Sequence, residues 1–85
     1  MKLTPEQYSH ILESIRVLSP KLEAYRELIT DNPRAASLPS YIREDAAYTA
    51  LGGAAFREMR AGSPRSFDAS LRRAMIDLGF PEFSK

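Results

Sequence analysis

The sequence predicts an all-α fold, and three observations carry that prediction. Apolar residues recur at three- and four-residue spacing. Prolines and glycines fall where helices would start and stop. No alternating run of β-branched residues is present to build a strand. At 85 residues the chain is long enough for one domain, residues 1–85. The expected architecture is a small bundle of three helices, near 5–30, 39–61 and 66–78. A fourth helix would arise if the chain divides at Pro20 or at Gly52-Gly53.

The first helix has a clear start. Thr4 suits an N-cap, Pro5 the first helical position, and Gln7 stands three residues after Thr4 in a capping-box pattern. Tyr8, Ile11, Ile15, Leu18, Leu22, Tyr25 and Ile29 then follow at spacings of 3 and 4 in strict alternation. This is an unbroken heptad seam, widened by Leu12 and Leu28. Ser19-Pro20 interrupts it. Read locally, Ser19 caps and Pro20 opens a second helix. Read over the whole seam, the phase continues across the proline, which falls on the face opposite the apolar ridge. The second reading predicts one long helix bent at Pro20.

Asp31-Asn32-Pro33 ends that helix, and residues 32–37 read as a linker. Ser37 or Ser40 can cap the next segment, with Glu44 and Asp45 in its early turns. This segment is rich in Ala and Gly, and its larger apolar residues are Leu38, Tyr41, Ile42, Tyr48, Leu51, Phe56 and Met59. Gly52-Gly53 predicts either a break or a close approach of a neighbouring helix. The last helix starts at Ser63-Pro64 or Ser66 and places Phe67, Leu71, Ala74, Met75 and Leu78 on one face. Gly79 is a left-handed terminator, Phe80 is placed to fold back, and Phe83 can pin the tail to the core.

Composition narrows the function classes. The chain has no cysteine, which removes disulfides and thiolate metal sites and fits a reducing, cytoplasmic setting. No stretch approaches the length of a membrane span, and the N-terminus carries no apolar leader. Net charge is +1, but residues 34–73 carry seven arginines against four acids. Glu6, His10 and Glu13 share a helix face, yet His10 is the only histidine, so they read as a solvated flank rather than a metal site. No nucleophile elbow or phosphate loop is present, so neither catalysis nor a cofactor is expected.

Two binding readings remain. A seam of about 26 helical residues spans about 39 Å, and the later helices are shorter and poorer in large apolar groups. The ridge Tyr8, Ile11, Ile15, Leu18, Leu22, Tyr25 and Ile29 is therefore expected to stay partly uncovered, and the chain to be a small non-enzymatic regulator, inhibitor or adaptor that docks on a protein partner through it as a homodimer. The alternative is DNA binding by a helix-turn-helix-like C-terminal half, with Arg57, Arg60, Arg65, Arg72 and Arg73 around the turn Gly62-Ser63-Pro64.

Overall fold

A computed structural model describes residues 2–85. The described residues form α1 (Pro5–Arg16), α2 (Ser19–Asp31), α3 (Leu38–Leu51), α4 (Gly53–Gly62) and α5 (Pro64–Asp77), followed by a 3-10 turn at Pro81–Phe83. No strand occurs among them. The all-α class therefore holds, while five helices replace the expected three or four.

Both extra boundaries have local causes. The N-terminal segment is not one bent helix. A proline ring collides with the carbonyl four residues earlier and cannot donate to it. For Pro20 that residue is Arg16, where α1 ends. The Ser19 hydroxyl donates to the Arg16 carbonyl at 2.7 Å and takes the place of the missing amide. The expected second helix divides at Gly52, whose φ of 88° and ψ of 150° lie where only glycine is comfortable. Gly53 has a different role. A methyl group there would stand 2.5 Å from the Tyr48 hydroxyl oxygen, so the ring of Tyr48 lies over it. Gly52→Ala should cost about 1–3 kcal/mol through backbone strain, read as a lower thermal midpoint. An unchanged midpoint would refute that conformation.

Ser37 precedes α3 without a side-chain capping bond and Ser40 lies within the helix, whereas the signals at Thr4 and Gly79 act as the sequence suggests. Gln7 N donates to Thr4 Oγ1 at 3.2 Å, and Thr4 N donates to Gln7 Oε1 at 2.8 Å, completing the capping box. Gly79, at φ 90°, ends α5 in a Schellman turn. Phe80 N donates to Met75 O and Gly79 N to Ile76 O. Residues 32–37 form the linker.

The core brings together Ile11 and Ile15 from α1, Leu22 from α2, Ile42, Ala46 and Ala47 from α3, and Phe56 from α4. Phe67, Leu71, Ala74 and Met75 of α5 complete it with Phe80 and Phe83 of the tail. Phe56 stands edge-on to Phe67 with ring centres 5.2 Å apart. Phe83 is fully enclosed.

One charged side chain lies among these residues. Arg43 is 1% exposed. Its Nη1 donates to the main-chain oxygens of Phe83 at 2.7 Å and Lys85 at 2.9 Å, and its Nη2 faces Asp68 Oδ1 at 3.4 Å. Its Nε has no hydrogen-bond partner among the described residues. Burial pushes the guanidinium below its ordinary pKa, and the carboxylate of Asp68 opposes that shift. Arg43 thus ties the tail to α3 from inside the bundle.

Candidate docking surface

The seam residues lie mostly inside this single chain. Ile11, Ile15 and Leu22 are fully buried, while Tyr8, Leu18, Tyr25 and Ile29 are half-buried against the core. Where a partly uncovered ridge was expected, the chain encloses three of its seven residues and partly covers the other four, for two reasons. The break at residues 17–18 lets α1 and α2 wrap the core separately, and the tail supplies two more aromatic rings. Ile11, Ile15 and Leu22 are therefore unavailable to a partner in this state.

Among the described residues the largest aromatic exposure lies instead on α3. On a helix turning about 100° per residue, Tyr41 and Tyr48 point within about 20° of each other. They face away from Pro39, Ile42, Arg43, Ala46 and Ala47, which are the buried residues of the same helix. Tyr41 is 68% exposed and Tyr48 42%. The Tyr48 ring is braced on three sides. Gly53 lies beneath it, Phe56 packs edge-on with centres 5.5 Å apart, and the Arg57 guanidinium stands 5.9 Å from its centre. Arg57 Nη2 also donates to the Tyr48 hydroxyl at 3.4 Å. Charged groups rim the face. Tyr25 of α2 donates its hydroxyl to Asp45 Oδ2 at 3.5 Å, and Arg60 of α4 pairs with Glu44 at 3.0 Å.

The five arginines of the C-terminal half do not form a free basic patch. Arg60 pairs with Glu44, Arg72 with Asp68 at 3.1 Å, and Arg73 with Asp77 at 3.7 Å. Arg57 stacks on Tyr48. Arg65 alone of the five has no carboxylate or ring partner among the described residues. It lines a wide, open depression of about 750 Å³ at the head of α5, with Lys2 and Pro64. Exposed pairs of this kind are individually weak, but a phosphate would have to displace each carboxylate before gaining its arginine.

Glu6 and His10 are exposed on α1, and Glu13 pairs with Arg16 at 3.3 Å. Among the described residues no three His, Cys, Asp or Glu side chains stand close enough to hold a metal ion. No helix among them is long and apolar enough to cross a membrane.

The Tyr8 phenol on α1 is held well above its ordinary range. Partial burial, a hydrogen bond to Asp77 and the charge of that carboxylate push its phenol up to about 12, while Arg73 over the ring opposes them. A phenol that stays protonated in the folded chain but ionises near 10 when unfolded favours the fold below pH 10. That contribution is lost as pH rises from 10 to about 12. Tyr8→Phe should flatten this part of the alkaline melting profile. A wild-type profile that matches the variant throughout would exclude the Tyr8–Asp77 bond.

Sequence reasoning did not single out Arg43 or the Tyr41/Tyr48 face, although the spacing contains both. Arg43 stands four residues after Pro39 and three and four before Ala46 and Ala47, on the inward arc. Comparison with known proteins finds no matching family model, no matching curated protein and no matching solved structure.

Proposed function

We propose that this chain is a non-enzymatic binding domain that docks on a protein partner through the outward face of α3. The observation that carries the reading is the Tyr41, Tyr48 and Arg57 surface. Two tyrosines point directly away from the core, and one of them is held in place by an arginine. Tyrosine and arginine are the residue types most concentrated at the energetic centres of protein interfaces. A ring immobilised before binding loses little further freedom when a partner covers it. The rim of Glu44, Asp45, Arg57 and Arg60 carries both signs of charge, which suits a protein surface better than a polyanion. The sole histidine, His10, is exposed on α1, and among the described residues no hydroxyl is seen bonded to it, so catalysis gains no comparable support.

The immobilised chain should retain a protein from a nuclease-treated lysate of the cells that make it. Tyr41→Ser and Tyr48→Ser should each weaken that retention by about 2 kcal/mol if they are interface anchors. Leu28→Ser, on the exposed face of α2, should leave it unchanged. Retention of the same protein by the double tyrosine variant would overturn the reading. So would retention that disappears on nuclease treatment, which would favour the arginine-based alternative.

A further inference from the structure

We propose that the turn between α1 and α2 is a hinge, and that two copies of this chain form a dimer by exchanging α2. In the exchanged form α1 and α2 run on as one proline-kinked helix. Each α2 then occupies, on the other copy, the place beside α3 and the tail that it holds on its own chain in the closed form.

Four observations support the exchange. The first is phase. Tyr8, Ile11 and Ile15 of α1 continue in heptad register into Leu18, Leu22, Tyr25 and Ile29 across the turn. A shared phase lets the two helices present one continuous apolar ridge when they join.

The second is the hinge backbone. Val17, at φ −60° and ψ −26°, is already helical. Leu18, at φ −90° and ψ 9°, departs from helical values chiefly by about 50° in ψ. Rotation at a single residue therefore joins the two helices. Ser19 already satisfies the Arg16 carbonyl that Pro20 leaves without a donor, as a kinked continuous helix also requires.

The third is the light seating of α2. Leu22 is its only buried residue. Tyr25 and Ile29 lie half-buried against the core, and the remaining attachment is polar and specific. Arg26 pairs with Glu82, donates to the Gly79 carbonyl at 2.6 Å and lies over the Phe80 ring, and Tyr25 meets Asp45. An identical α2 from a second copy makes every one of these contacts, so exchange sacrifices none of them.

The fourth is Val17, the most exposed large hydrophobic among the described residues at 78%, which sits in the hinge itself. When two hinges straighten beside each other at the two-fold axis, Val17 lies in the only surface the exchange newly creates. A two-residue connection also favours exchange, because a longer loop would relieve the closed form. Pro20 acts against the straightened helix and so holds the closed monomer in excess.

Light scattering from micromolar to millimolar protein tests this directly. The expected result is a dimer fraction that grows with concentration. Pro20→Ala should tighten dimerisation at least about tenfold. A Gly-Ser-Gly insertion after Val17 should return the chain to monomer. Exchange is distinguished from ordinary side-by-side pairing with Arg26→Lys, which puts an amine against Glu82. Carbodiimide should then yield a covalent dimer on a denaturing gel, and Glu82→Gln in the same chain should abolish it. Monomer at every concentration in both the wild type and Pro20→Ala would overturn the proposal. So would a dimer whose coupling to Glu82 falls within single chains. Neither outcome bears on the α3 face, which the exchange leaves open.

Discussion

Arg43→Ala is expected to lower stability by about 3–4 kcal/mol, read from the urea midpoint at constant slope. A domain of this size has only about 5–15 kcal/mol in total, so the loss is a large share of it. The loss has three parts. The main-chain oxygens of Phe83 and Lys85 lose their donor, and the first of them lies in the buried tail. The apolar stem of the side chain leaves a cavity between α3 and α5. Asp68 loses one cation but keeps Arg72, and it is itself half-exposed, so this part is small. Arg43→Met separates the parts, because it refills the stem volume and removes a buried charge whose Nε has no partner. Its expected cost is about 1–2 kcal/mol. A methionine variant as damaging as the alanine one would assign the whole effect to the two carbonyls. Changes under about 0.5 kcal/mol for both would mean that the tail is not held from α3.

Phe83→Ala is expected to cost about 3–5 kcal/mol, the range for emptying a fully enclosed aromatic site. Phe83 stacks at a tilt against Phe80, with ring centres 5.9 Å apart, and its carbonyl accepts from Arg43. The two substitutions therefore act on one unit. Arg43→Ala combined with Phe83→Ala should cost less than the sum of the single losses, by about 1–2 kcal/mol, because either change alone already frees the tail. Full additivity would indicate that Phe83 packs independently of the Arg43 clasp.

The helix ends were readable because their causes are local. The Thr4–Gln7 box, the Schellman turn at Gly79 and the linker at 32–37 each depend on a few adjacent residues. The break before Pro20 was also locally encoded, but the heptad register of the seam argued against it. Register describes which way side chains point and is blind to a two-residue interruption that preserves direction. The ridge's partner was not readable for a different reason. Phe83 read as a pin for the tail and Phe80 as a fold-back, yet both belong to the buried core itself. The outward face of α3 was hard to read because that helix alternates small and large residues so closely that its apolar side is weakly marked. Only the buried arc through Ile42, Ala46 and Ala47 shows that Tyr41 and Tyr48 point outward.

The division of apolar surface, with the ridge of α1 and α2 inside and the tyrosines of α3 outside, can be measured in dilute protein. A soluble paramagnetic agent should broaden the Tyr41 ring and Val17 methyl resonances strongly while leaving the Ile11, Ile15 and Leu22 methyls sharp. Methyls of those three residues that broaden as much as Val17, or a Tyr41 ring that is protected, would show that the apolar surface is divided the other way.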